Sequence, residues 1–263
     1  MPTPSTKKTS GQPSASSPSS GRAELARFLR SRLWTPLQGP QTEAYLSTAF
    51  ETLYGGAAGG GKSDLLLGLA RLEHRQSLLL RRTYPELDRT LVERSRGFYG
   101  DPARFNGSKY RWVFSERTIQ FGHMESEKAK FSYQGSQYDL IGFDELTQFQ
   151  ESQYEYMLSR ARTTVLGQRI RIVATTNPGG EGNDWVIRRW APWLDDGYPR
   201  PAGSGEIRWF RRDAEGIEQE VPPHTEGALS RTFIAARLKD NPFLGKAYQD
   251  ILGLMPEPYR SPL

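Results

Sequence analysis

The sequence predicts an α/β fold, a mainly parallel sheet with flanking helices. Two observations carry this prediction. Short apolar runs of strand length alternate with segments of helical periodicity, the pattern of strands joined by crossover helices. The runs LLL, LIGF and IVA are continuously apolar, as strands covered on both faces are.

The elements follow in order. MPTPSTKKTSGQPSASSPSSGR is rich in Ser, Pro, Thr and Gly. It holds too little apolar surface to offset the entropy of ordering, so residues 1–22 read as a disordered tail. AELARFLRSRL sets Leu25, Phe28, Leu29 and Leu33 on one helical face, and PQTEAYLSTAF reads as a second short helix. FETLY is a strand leading into a Gly-rich segment; SDLLLGLARLEH is the helix after it, and QSLLLRR a buried strand. In KYRWVFSERTIQFGHM, Trp112 and Phe114 share one face, and Ile119 and Phe121 share a face of the next run. The short polar turn between them predicts a β-hairpin. YDLIGFDE and RIRIVATTNP are two further strands with the helical ESQYEYMLSRAR between them. Beyond about Gly197, Pro and Gly are frequent and turns dominate. The organisation read from this is a tail (1–22), a core (23–200) and a lid and linker region (201–263).

A chain of 263 residues is long enough to bury a sizeable core. It contains no cysteine, which excludes disulfides and thiolate metal sites. His74, His123 and His224 lie far apart and read as ordinary surface or packed residues. No apolar run is long enough to cross a bilayer and the N-terminus lacks a signal-peptide core, so a soluble, cytosolic protein with no membrane role is expected. The net charge is +5, of which Lys7, Lys8 and Arg22 in the acid-free tail supply three. Global charge is therefore a weak argument for nucleic acid.

Residues 56–63, GAAGGGKS, fit G-x-x-x-x-G-K-[ST] without a mismatch, between a strand and a helix. Backbone N–H groups converge on phosphate oxygens only where side chains leave room. Gly59, Gly60 and Gly61 leave that room, and the helix N-terminus adds partial positive charge. Gly56, Ala57, Ala58, Gly59, Gly60 and Gly61 are thus the phosphate cradle, Lys62 reaches the β- and γ-phosphates of ATP, and the Ser63 hydroxyl ligates Mg²⁺. The plain alternative is a Gly-rich turn with an exposed lysine.

LIGFDE ends an apolar strand in Asp144 and Glu145. Strand alternation lets adjacent carboxylates point different ways. Asp144 reads as the second metal-shell residue beside Ser63, and Glu145 as the catalytic base for the attacking water. Alone, such a pair equally fits a solvated turn. A third strand ends in Thr175, Thr176 and Asn177, at the carboxyl edge where ligands bind in open α/β sheets; Thr and Asn also simply suit a strand end.

Taken together, GPQTEAYL, LYGGAAGGGKSDLLL, LLLRRTYPEL, YDLIGFDELTQF, YMLSRARTT, ATTNPGG and RLKDNPFL resemble the large terminase subunit of tailed phages and prophages over Trp34 to Leu263. The resemblance implies an ASCE-type (RecA-like) P-loop NTPase with an added β-hairpin and a small C-terminal lid. It implies ATP hydrolysis with Mg²⁺ that moves double-stranded DNA into a procapsid. It also implies a homo-oligomeric ring on the capsid portal, a small terminase subunit as partner, and the cytoplasm of the bacterial host as the location. Gln41 falls where the family places a glutamine contacting adenine, and Thr176 and Asn177 fall on its coupling motif. The family also uses an arginine at the transferring phosphate, for which Arg81, Arg82, Arg160 and Arg162 are candidates. A complete large terminase continues into a nuclease, and this sequence stops where that region would begin, so no nuclease activity is expected of it. The rivals are another P-loop ATPase of helicase or recombination type, and a remnant that only binds nucleotide. DWVIRRWAPW and IRWFRR set four of the six tryptophans among arginines. This composition suits phosphate and single-strand contacts, but tryptophans that pack the lid, with solvated arginines, are the preferred reading.

Overall fold

The computed structural model describes residues 34–237 and Asp240, except Ala57, Ala58 and Pro178. The tail, the helix expected from Leu25 to Leu33 and the segment from 241 onward lie outside the described residues.

The strands are β1 (Glu51–Gly56), β2 (Gln76–Arg81), β3 (Phe105–Asn106), β4 (Arg111–Val113), β5 (Thr118–His123), β6 (Leu140–Phe143), β7 (Arg171–Thr176), β8 (Arg208–Arg212), β9 (Glu218–Val221) and β10 (Leu229–Ala236). Among the described residues they form a single ten-stranded sheet in the order β3-β4-β5-β2-β6-β7-β1-β10-β8-β9. Its centre, from β5 to β10, is parallel throughout, and both margins are antiparallel. Strands β1, β6 and β7 are buried along their whole length; the apolar run of β6 suits this, while β1 and β7 also bury Glu51, Arg171 and threonines.

The helices are α1 (Pro40–Leu46), α2 (Lys62–Leu72), α3 (Tyr84–Leu87), α4 (Glu93–Tyr99), α5 (Glu151–Leu158), α6 (Asn183–Arg189) and α7 (Ala191–Leu194); a π-helical turn, Asp88–Val92, joins α3 to α4. Helix α2 buries Leu65, Leu66, Leu67, Leu69 and Leu72, each contributing about 2 kcal/mol by area. A core cluster gathers Leu78, Leu80, Ile141, Phe143, Ile172 and Ala174 from the sheet with Tyr154 of α5 and Trp185, Val186 and Trp190. Helix α5 opens with a reciprocal capping box between Gln150 and Gln153, which satisfies donors the helix start would leave unpaired.

The expected hairpin is present: β4 pairs antiparallel with β5, with Trp112 opposite Ile119. It is not simply appended, because β5 also runs parallel to β2 and extends the main sheet. The larger difference lies beyond Gly197. Strands β8, β9 and β10 fall in the range read as lid and linker, yet all three join the main sheet, and β10 lies directly against β1. The reason is electrostatic. Arg231 interrupts the apolar pattern of β10, but it is only 1% exposed because Glu51 and Glu218 meet its guanidinium.

Candidate functional site

Four adjacent strands, β2, β6, β7 and β1, run in one direction, so their carboxyl ends share one edge. That edge carries Arg81, Asp144, Thr176 and the loop after Gly56. With strands about 4.8 Å apart, the four ends span about 15 Å.

The Gly-rich loop is held by its geometry and by two buried side chains. Gly56 has φ 127°, and a Cβ there would stand 2.1 Å from the Ala236 carbonyl oxygen, so only glycine lets β10 lie so close. Gly61 has φ 70° and precedes α2 with no side-chain cap. A helix start of this kind, without a side-chain cap, suits an anion. The Tyr54 hydroxyl donates to the Gly60 carbonyl at 2.8 Å, and Gln41 Nε2 donates to the Gly61 carbonyl at 2.7 Å. Lys62 Nζ donates to the Gly56 carbonyl at 3.3 Å. Burial pushes the Lys62 ammonium down to about 8, against the pull of Glu145 and Asp144.

Asp144 is buried beside this loop. Ser63 Oγ lies 3.3 Å from both its carboxylate oxygens, Thr175 Oγ1 donates to Oδ1 at 2.8 Å, and Arg81 Nη1 donates to Oδ2 at 2.9 Å. Neighbouring oxygens on an octahedral Mg²⁺ stand about 3 Å apart, close to the separation of Ser63 from Asp144. Among the described residues no three His, Cys, Asp or Glu side chains converge as a cage. One hydroxyl and one carboxylate are donors of the kind that suits a Mg²⁺ keeping most of its waters.

Glu145 does not follow strand alternation. Strand β6 ends at Phe143, and Glu145 is left-handed at φ 61° and ψ 65°, a conformation uncommon outside glycine. Both carboxylates therefore reach one guanidinium, with Arg81 Nη1 also 3.9 Å from Glu145 Oε1. Asn177 holds Glu145 through Nδ2 to Oε1 at 2.6 Å and through its backbone N–H to Oε2 at 3.3 Å. Burial raises the Glu145 pKa and the Asp144 charge adds to it, opposed by Arg81, Lys62 and the Asn177 N–H.

The other candidates are distributed unevenly. Gln41 is buried, its Oε1 accepting from the Leu37 N–H at 2.6 Å, so it clamps the end of the loop rather than facing solvent. Thr176 is fully buried and meets Thr147 Oγ1 at 3.3 Å and the Asn177 carbonyl at 2.9 Å. Its neighbour Thr175 is the threonine on the Asp144 carboxylate. Arg82 is committed to structure, donating to the Met124 carbonyl and to Gln153 Oε1. Arg160 and Arg162 bracket Tyr138 through backbone bonds, at the amino end of β6, about 20 Å of strand from Asp144. They do not meet the carboxylates of their own chain. Ala57 and Ala58 lie outside the described residues. Tyr54 was missed by sequence reasoning; its one signal is an aromatic at the last large position before the loop.

In the tryptophan-rich segments, Trp185 and Trp190 are buried and donate to the Phe149 and Thr232 carbonyls. Arg189 is buried against Glu51, while Arg188 and Arg212 are exposed with carboxylate partners. Trp185 and Trp190 therefore belong to the core rather than to a lid, Trp193 and Trp209 are only half-buried, and Arg189 is not solvated.

Residues 56–253 match the family model described as terminase large subunit, T4likevirus-type, N-terminal. The fold is similar to the large terminase of a thermophilic bacteriophage in two crystal structures. In one the TM-score is 0.55 at 13% identity; in the other, a complex with ADP, it is 0.53 at 14% identity. In both, the match covers 86% of this chain and 52% of the other, so the chain spans about half the length of these relatives. No curated protein sequence matches the chain. At such identities the structural likeness speaks for the fold, a P-loop NTPase-like α/β sheet.

Proposed function

The chain belongs to the terminase large-subunit family, and on that premise we propose that it hydrolyses ATP at this site to drive double-stranded DNA into a procapsid. The observation that carries the proposal is the meeting of Asp144 and Glu145 beside the phosphate loop, with Glu145 held by Asn177. A kinase has no need of a second carboxylate to take a proton from water.

The loop N–H groups and Lys62 bind the β- and γ-phosphates. Ser63 and Asp144 would hold Mg²⁺, which when bound neutralises phosphate charge. Glu145 accepts the proton of the attacking water, with Arg81 and Lys62 opposing the burial that raises its pKa. Arg81 faces both carboxylates of its own chain and is the candidate to stabilise the transferring phosphate in cis. Gln41 fixes the loop end and lies where an adenine contact is expected. The segment Thr176–Asn177 joins Glu145 to β7 and is the candidate coupling element. The family supports a ring of copies on the portal, a small terminase subunit as partner, and the bacterial host cytoplasm as the setting.

The test is Glu145→Gln. It should keep ATP affinity in calorimetry while phosphate release, measured with duplex DNA and procapsids, falls about 10²–10⁴-fold. A variant retaining half the normal rate removes Glu145 from the mechanism.

A further inference from the structure

At the far end of α2 from the phosphate loop lies a second cationic cavity, of about 270 Å³. Its walls include Arg71 in the last turn of α2, Arg104, and the hairpin-turn residues Phe114, Ser115, Glu116 and Arg117. The Arg71 guanidinium stacks on the Phe114 ring at 4.2 Å, and Arg104 stands 5.8 Å from the same ring. Arg117 donates to the Arg71 carbonyl. The Arg71 Nε is buried with no hydrogen-bond partner among the described residues. Asp101 meets Arg104 at 3.2 Å, but both are about half exposed, where such pairs contribute little; Glu116 lines the cavity as well. Burial and the adjacent Arg104 both disfavour the Arg71 charge, with Tyr99 opposing. A buried donor without an acceptor, among three guanidiniums in a polar cavity, calls for an anion.

We propose that this cavity binds a phosphate group, gripped by Arg71, Arg104 and Arg117 with the Ser115 hydroxyl at its rim. Guanidiniums match phosphate geometry through paired N–H donors, and the volume admits one phosphate with its waters. The proposal does not rest on the ATPase reading. It does have a consequence for it: α2 begins at Lys62 and ends beside Arg71, so one helix about 16 Å long touches both anion sites. The Tyr99 hydroxyl donates to the Leu67 carbonyl of the same helix. The phosphate has two available sources, free inorganic phosphate or the backbone of a nucleic acid.

Two arms distinguish them. In the first, inorganic phosphate is titrated by calorimetry into the full chain carrying Lys62→Ala, which silences the loop lysine. In the second, a labelled duplex is titrated by anisotropy into the otherwise unchanged full chain across a salt series. Each is repeated with Arg104→Gln and with Ser115→Asp, which adds a negative charge while leaving all three arginines in place. Both variants should weaken inorganic phosphate at least about fivefold, the scale of one charge-assisted hydrogen bond. If nucleic acid is the source, duplex affinity falls as well, and the slope of log K against log salt becomes shallower by about 0.9 for each phosphate no longer neutralised. If free phosphate is the source, the duplex arm does not move. Glu116→Gln, which removes a negative charge, should tighten whichever ligand binds. Equal binding by parent and variants in both arms, or no binding in either, overturns the proposal and leaves the arginines as caps of α2 and packing for Phe114.

Discussion

Asn177 at the end of β7 donates twice to Glu145 beyond the end of β6, from its side-chain amide at 2.6 Å and from its backbone N–H at 3.3 Å. The pair fixes a carboxylate whose own backbone is left-handed, and it ties that carboxylate to a different strand from its own. Hydrogen bonds to a charged group contribute about 1.5–3 kcal/mol. Asn177→Ala should therefore lower phosphate release about 10–100-fold while nucleotide affinity in calorimetry stays within about twofold. An unchanged rate would mean that Glu145 keeps its position without Asn177.

Arg81 should act within its own chain. Arg81→Ala is expected to bind ATP and to lose about 10²–10³-fold in turnover, the usual consequence of removing one donor at developing charge. Mixing it with Lys62→Ala protein should not restore activity, because the intact Arg81 of that protein faces its own disabled loop. Rescue on mixing would show that Arg81 reaches across copies, and undiminished turnover of Arg81→Ala would make Arg160 and Arg162 the residues to replace.

Gln41→Leu separates a clamp from a base contact. The change leaves the Gly61 carbonyl and the Leu37 N–H without their buried partner, a penalty of about 1–3 kcal/mol. If Gln41 acts through the loop, ATP and GTP affinities should fall by the same factor. A fall confined to ATP would show that the amide reads adenine instead.

The buried group Glu51, Arg189 and Arg231 predicts a pH-dependent stability. Burial alone would raise the Glu51 pKa, but the two guanidiniums and the Tyr154 hydroxyl overcome it and hold the carboxyl down to about 2, against an ordinary 4.5. A depressed folded value means the contribution is present above the unfolded pKa and is lost as pH falls through the folded one. Denaturant midpoints should be level above about pH 5.5 and drop between about pH 4.5 and 2, with up to about 3 kcal/mol attributable to this group. Glu51→Gln should lower stability at about pH 7 by about 3 kcal/mol, since two buried guanidiniums lose the carboxylate they share and keep only Glu218, and should shrink the difference between neutral and acid conditions. A variant with an unaltered acid limb would assign that limb to other carboxylates.

The Gly-rich loop and the helix after it were legible because they are contiguous: residues 56–63 carry their own turn, their own small side chains and the start of their own helix. The central strands were legible for a related reason, since burial on both faces demands unbroken apolar runs. Two features were not. The direction of Glu145 depends on β6 stopping at Phe143, just before the acidic pair, and strand ends are decided by pairing with neighbours. Strand β10 was hidden by Arg231, a residue that argues against a buried strand until Glu51, 180 positions earlier, is placed against it.

The sequence by itself determined the Gly-rich loop between a strand and a helix, which carboxylates end a strand and that the sheet is mainly parallel, because these follow from local backbone freedom and side-chain periodicity. Only the tertiary structure decided the strand order β2-β6-β7-β1, and with it that Arg81 meets Asp144 while Arg82 turns to Gln153 and Arg160 and Arg162 stand at the opposite end of β6. Four arginines of identical chemistry look alike in a sequence. They are separated by which edge of the sheet each reaches, and that is a property of long-range strand pairing that no local pattern encodes.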